Sequence, residues 1–102
     1  MFKISVIDSR TQRRLILEGK LVAPWTLELK TFCEKARADL NERALVIDIK
    51  QITAISQEGE NLLLELMKDR VAFRSGVFTK HVLAQLARRL RRELQETNRW
   101  RV

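Results

Sequence analysis

The sequence has few of the residues that usually build compact chemical sites. It holds one cysteine, Cys33, and one histidine, His81, in 102 residues. A lone cysteine excludes an internal disulfide, and a structural zinc site needs more ligands than this pair supplies. We therefore expect no metal and no cofactor. Free cysteine is among the most buried residue types, so we expect Cys33 to be a buried, unreactive thiol.

Glycine is scarce as well, and it is scattered. Gly19, Gly59 and Gly76 stand apart, so the chain has no glycine-rich phosphate-binding loop. It also lacks the Ser-x-x-Lys and Gly-x-Ser-x-Gly motifs of enzymes with a serine nucleophile. Glu58 and Glu60 are two positions apart on a predicted helix and point in different directions, which disfavours an acid–base pair. We predict a protein that is not an enzyme.

Long apolar runs are absent. No stretch approaches the ~20 residues that cross a bilayer. The first eight residues alternate apolar and polar side chains, unlike the apolar core of a signal peptide. We expect a cytoplasmic protein without membrane insertion. The length fits a single domain over residues 1–102.

Hydrophobic periodicity predicts the order strand, strand, helix, strand, helix, strand, helix. The approximate ranges are 2–6, 15–21, 25–40, 44–49, 56–67, 71–73 and 78–96. A strand–helix–strand unit implies parallel neighbours, whereas the opening hairpin is antiparallel, so the sheet should be mixed. The apolar positions that we expect in the core include Trp25, Phe32, Leu63 and Leu66.

Asp48 interrupts the buried-looking strand that begins at Ala44. A charge there costs free energy unless it is paired or lies near the strand end. Two interpretations stay open, a functional carboxylate and a structural residue that bonds the following loop.

The segment Asp48–Gly59 resembles the signature of the STAS domain, which is shared by anti-sigma factor antagonists and sulfate transporter tails. That signature has an Asp at the end of a buried strand, a loop, and then Asp-Ser-Ser-Gly opening a helix. Leu17–Leu21 is similar to the family's second strand. The resemblance implies an α/β fold, with a STAS-like mixed four-stranded sheet and helices packed mainly on one face. It also implies a protein partner in bacterial signalling, such as an anti-sigma factor or a kinase-like regulator of transcription.

The chain departs from the signature at its most informative positions. Ser56, Gln57 and Glu58 stand where the family has Asp-Ser-Ser, and the second Ser of that triplet is phosphorylated in the antagonists. Glu58 fits two hypotheses, a protein locked in one signalling state and a good first-turn residue in a member that never used the switch. Ser56 is the remaining candidate for phosphorylation. The resemblance places partner binding at Ser56, Gln57, Glu58 and Gly59, with Asp48 shaping the loop.

The last quarter of the chain is strongly basic. Residues 79–102 hold seven Lys/Arg and two Asp/Glu, so they carry most of the net charge of +7. Arg88, Arg89, Arg91 and Arg92 surround one leucine, and Arg99, Trp100 and Arg101 follow. This basic helix and tail, at about 78–102, suggests an alternative function, binding of nucleic acid. Few aromatic residues are available there for base stacking, which disfavours that alternative. Trp100 is better explained by packing or by a homodimer contact.

Overall fold

The computed structural model describes the backbone of residues 1–99 and the side chains of residues 1–96. Its elements follow the predicted order and are β1 (Phe2–Asp8), β2 (Gln12–Leu21), α1 (Trp25–Ala38), β3 (Ala44–Ile55), α2 (Gln57–Lys68), β4 (Ala72–Arg74) and α3 (Val77–Arg99). The side chain of Arg99 and all of Trp100 and Arg101, which belong to the predicted basic tail, lie outside the described residues.

The four strands form one mixed sheet in the order β1-β2-β3-β4. β1 pairs antiparallel with β2, whereas β2, β3 and β4 run parallel. The buried cluster takes alternate residues from the strands, such as Leu15 and Leu17 of β2 and Ile47 and Ile49 of β3, and joins them to residues of all three helices. Alternate strand residues point to one face of a sheet. The helices therefore pack on one face, as predicted.

Two of the four residues predicted for the core are only half-buried. Leu63 and Leu66 are buried, which confirms that prediction for α2. Trp25 and Phe32 are partly exposed. They lie on the side of α1 that faces the edge strand β1, where Trp25 stacks on Phe2 with ring centroids 6.3 Å apart. The edge of the sheet supplies too few neighbours to enclose a large ring.

The apolar stripe of α3 is buried at its middle and exposed at its ends. Leu86 is fully enclosed, whereas Phe78 and Leu94 are about half exposed, at 49% and 55%. Residues four apart in a helix advance by about 400°, so each step drifts about 40° around the axis. A stripe with a spacing of four thus leaves the sheet face two steps from its centre.

Strand β3 is longer than predicted and runs on to Ile55. Beyond Asp48 it pairs with β2 but no longer with the short strand β4. Ile52 remains in the core, while Lys50 and Thr53 face solvent. Their polarity made this half of the strand look like a loop.

Candidate docking surface at the start of helix α2

Ser56 begins α2 as its N-cap residue. Its backbone is extended, with φ −80° and ψ 174°, and its Oγ accepts a hydrogen bond from the Gly59 N–H at 3.2 Å. This bond satisfies one of the amide groups that the first turn of a helix leaves unpaired. The backbone N–H of Ser56 donates to the Leu21 carbonyl oxygen at 3.1 Å. The helix start is therefore fixed to the end of β2 on one side and capped by its own serine on the other.

Glu58 is exposed in the first turn of α2, as predicted. Hydrogen bonds from its own backbone N–H and from the Ser56 hydroxyl hold the pKa of the Glu58 carboxyl below its usual value. The positive end of the helix dipole favours a negative charge at this position. Glu58 is therefore a fixed anion on the surface at neutral pH.

Gly59 contributes packing rather than surface. It is buried, and a β-carbon added there would lie 2.5 Å from the Leu21 carbonyl oxygen and 2.9 Å from Cγ2 of Ile55. Such distances are far inside van der Waals contact. The glycine lets α2 approach the sheet closely, and it positions Ser56 and Glu58 without offering a side chain to a partner.

Asp48 does not shape the loop before α2, and that prediction is wrong. It lies within β3, opposite Ile16 of β2 and Arg74 of β4. Its carboxylate is nearly buried and accepts a hydrogen bond from the Lys50 N–H at 3.0 Å. Ser56 follows eight residues later along an extended strand, roughly 25 Å away. Because the strand continues past Asp48, the structure does not join Asp48 to the helix start.

A shallow groove between α1 and α2 adjoins Glu58. Its volume is about 220 Å³, and it is lined by Thr26, Leu27 and Lys30 of α1 and by Glu58, Asn61, Leu62 and Glu65 of α2. Leu27 is 69% exposed, so an apolar side chain stands in water beside the fixed anion. The groove was not predicted from the sequence. Leu27 is an apolar residue among the polar residues of the outer face of α1. This break in the polar pattern is the feature of the sequence that could have indicated the groove.

The basic residues of α3 are mostly on its solvent side. Arg88, Arg91 and Arg92 are exposed, whereas Arg89 is half-buried. Arg89 and Arg92 line a shallow groove with Glu93 and Glu96, and Glu93 also forms an ion pair with Lys68 at 2.9 Å. The cluster is therefore partly neutralised at its C-terminal end.

Cys33 is 2% exposed, and burial raises the pKa of its thiol to about 11. A thiol with so high a pKa is mostly protonated at neutral pH and is a poor nucleophile. The prediction of a buried thiol is confirmed. Within residues 1–99 no group of three or more His, Cys, Asp or Glu side chains could hold a metal ion. None of the described helices has both the length and the apolar content of a bilayer span.

Comparison with known proteins identifies the architecture. No protein-family model matches the sequence, and no curated protein matches it. Among solved structures, an uncharacterized protein of the DUF3478 family with a SpoIIAA-like fold, from Shewanella loihica PV-4, superposes with a TM-score of 0.52 at 15% identity. The alignment covers 83% of this chain and 93% of that one.

Two further solved structures are similar. One, described as Mglu, aligns with a TM-score of 0.52 and 17% identity over 70% of this chain, but over only 18% of its own length. The other is the STAS domain of an antisigma-factor antagonist from Rhodobacter sphaeroides, with a TM-score of 0.47, 19% identity, and coverage of 76% of this chain and 88% of that one.

The molecule is therefore an α/β domain with a mixed four-stranded sheet and three helices in its described part. More particularly, it has the SpoIIAA-like fold. The fold that the resemblance to STAS domains implies is confirmed.

Proposed function

We propose that this protein is a protein–protein interaction module of bacterial signalling, of the anti-sigma factor antagonist type, without enzymatic activity. The observation that carries the proposal is the exposed carboxylate of Glu58 in the first turn of α2. In the STAS signature that this segment resembles, the position belongs to the phosphorylated serine.

The charge of Glu58 has a mechanistic consequence. Phosphorylation adds a charge of about −2 at neutral pH and so changes how a surface docks. A glutamate carries one permanent negative charge, which no kinase adds and no phosphatase removes. The surface around Glu58 is thus fixed in a single electrostatic state, and binding to its partner is constitutive.

Ser56 stays a candidate for phosphorylation, but its surroundings disfavour the reaction. Its hydroxyl oxygen caps α2 by accepting the hydrogen bond from the Gly59 N–H. A kinase would have to break the cap to reach the oxygen. The resulting phosphate would stand next to the Glu58 carboxylate, and the two like charges would repel.

The groove defines what a partner must offer. Leu27 needs an apolar contact, and Glu58 and Glu65 outnumber the single cation Lys30 along the same walls. A partner that presents an apolar side chain flanked by Lys or Arg would match both features, because complementary charges across an interface set specificity. An anti-sigma factor or a kinase-like regulator with such a surface is the proposed partner. We exclude Asp48 from the docking surface because it lies in mid-strand.

An affinity pull-down from the native cell tests the proposal. The wild-type protein, Glu58→Lys and Glu96→Lys serve as baits, since both variants make the same charge change at exposed helix positions. We expect one protein to be captured by the wild type and by Glu96→Lys but lost with Glu58→Lys. Equal capture by all three baits would show that the docking surface does not include the start of α2.

The arginines of α3 support a second candidate function. Arg88, Arg91 and Arg92 are exposed on one helix, where they could contact the phosphates of a nucleic acid. The acidic residues Glu93 and Glu96 beside them weaken that case. We therefore place nucleic-acid binding second.

A further inference from the structure

The outer edge of β1 is free of any pairing with the described residues, because β1 ends the sheet. Hydrogen bonds at both ends of the hairpin show which backbone groups are free. Lys20 donates to the Met1 carbonyl at 3.2 Å, and Ser9 donates to the Gln12 carbonyl at 2.9 Å. Pairs in an antiparallel ladder alternate between bonded and non-bonded. The odd-numbered residues of β1 therefore bond β2, and the even-numbered ones, Phe2, Ile4, Val6 and Asp8, direct their N–H and C=O groups outward.

Exposed apolar side chains are concentrated along this free edge. Met1, Val6 and Ile7 are 98%, 44% and 45% exposed, and they account for three of the seven large hydrophobic side chains that are exposed in the described chain. Natural edge strands are usually protected by charges, proline or bulges. β1 has an unbroken register with β2, no proline, and one lysine, Lys3.

An apolar groove runs beside the same edge on the helix side of the sheet. Its volume is about 290 Å³, and its walls are Val6, Arg13, Phe32, Lys35 and Ala36. It explains why Phe32 is only half-buried. A further strand at this edge would place side chains over the groove and extend the hydrophobic core.

We propose that this edge binds a second copy of the chain, β1 against β1 in antiparallel orientation, with the two-fold axis at Ile4. Residue i then faces residue 8 − i of the second copy. On the helix side Ile4 meets Ile4, and Phe2 meets Val6, so every pair is apolar. The outward N–H and C=O groups of these residues meet in bonded pairs, as an antiparallel ladder requires.

The opposite face of the sheet is equally compatible with this register. Ile7 faces Met1 of the second copy, which covers two of the most exposed apolar residues of the edge. Lys3 faces Ser5, so the two lysines are not opposed. Like charges placed directly opposite each other would be destabilising.

Neighbouring registers fit less well. Side chains stay on matching faces when the axis moves to Ser5 or to Val6. The first shift places Phe2 opposite Asp8, and the second places Ile4 opposite Asp8. Asp8 is an anion held by Arg13 at 2.8 Å, and an apolar neighbour would desolvate it. An axis at Lys3 also leaves Asp8 unopposed, but it places the two Lys3 side chains directly opposite each other, which is destabilising. Of these registers, the axis at Ile4 both leaves Asp8 unopposed and keeps the lysines apart.

A single shared strand edge is a small interface, and small interfaces associate weakly. We expect a reversible monomer–dimer equilibrium with a Kd below about 1 mM, within reach of sedimentation equilibrium and concentration-dependent NMR. The amides of Ile4 and Val6 should become protected from hydrogen exchange as the protein concentration rises. The dimer does not depend on the proposed signalling function.

Two opposite charges at one position test the register. Ser5→Glu should place an anion opposite Lys3 of the second copy, and Ser5→Lys should place a cation there; Ser5→Ala is the uncharged control. Each contact occurs twice in a symmetric dimer. Relative to Ser5→Ala, we expect Ser5→Glu to tighten the dimer about 2- to 30-fold and Ser5→Lys to weaken it by a similar factor. Circular dichroism would check that all three variants are folded.

Three results would overturn the proposal. A protein that remains monomeric at millimolar concentration has no such interface. Equal weakening by both charges places Ser5 opposite itself, which is the rejected register. A dimer that responds to neither charge associates in a different register of this edge or through another surface, whether or not the α2 surface binds its partner.

Discussion

The substitution Gly59→Ala tests the close approach of α2 to the sheet. Alanine is favoured over glycine within a helix by about 1 kcal/mol, so a helix lying free of the sheet would become more stable. Here the added methyl group would lie 2.5 Å from the Leu21 carbonyl oxygen. That carbonyl is held by Ser56, so it cannot move without disturbing the β2–β3 pairing. Overpacking costs about 1–3 kcal/mol, and rigid backbone favours the upper end. We expect a net loss of about 1–2 kcal/mol.

Urea unfolding followed by circular dichroism measures this loss. A small protein has a denaturant slope of about 1–3 kcal/mol/M, so the midpoint should fall by about 1 M. Asn61→Ala is the control, because it also introduces alanine into α2 but at an exposed position. Its midpoint should stay unchanged or rise slightly. An unchanged or raised midpoint for Gly59→Ala would mean that α2 does not rest on Leu21.

Three further predictions concern the core, the charges and the basic helix. Leu63→Ala should destabilise the fold by about 2–5 kcal/mol in urea unfolding, because Leu63 is fully buried. Leu27→Ala, at an exposed position, should cost little. Equal losses of stability in the two variants would mean that α2 faces the other way. Arg13 lowers the pKa of Asp39 through a hydrogen bond. The stability that the Arg13–Asp39 interaction gives the folded state is fully present above the unfolded-state pKa near 4. It is lost as the pH falls through the lower pKa of the folded state. Thermal unfolding between pH 7 and pH 2 should therefore show a smaller loss for Asp39→Asn than for the wild type, and identical curves would exclude the contribution. Fluorescence anisotropy with random duplex and single-stranded DNA at physiological salt should show no binding tighter than ~10⁻⁶ M. Tighter binding that disappears in the double variant Arg88→Ala/Arg92→Ala would instead favour the nucleic-acid function.

The order of elements and the start of α2 could be predicted because both depend on local patterns. Apolar residues two apart on strands and three or four apart on helices determine which side chains the sheet buries. The position of Glu58 follows from the preference of serine for the N-cap, since Ser56 fixes where the first turn begins. Local preference and tertiary packing agree at this helix start.

The length of β3 and the place of Asp48 could not be predicted, because they depend on pairing between distant segments. Lys50 and Thr53 are polar, yet the segment is a strand because β2 continues beside it. The residues next to Asp48 in the sequence suggest that a strand ends there. Its carboxylate is instead satisfied within the strand, because it accepts a hydrogen bond from the Lys50 N–H. Likewise, the groove beside Leu27 exists only because α1 and α2 pack side by side.

We propose that Glu58 binds a partner and contributes little to folding. Isothermal titration calorimetry measures the Kd of the captured partner for the wild type, Glu58→Gln and Glu58→Ser, with Glu96→Gln as the control. We predict that both Glu58 variants unfold at nearly the wild-type urea concentration but change the Kd by tenfold or more, while the control leaves it unchanged. Unfolding of both variants with unaltered affinity, or wild-type affinity in all of them, would contradict the account.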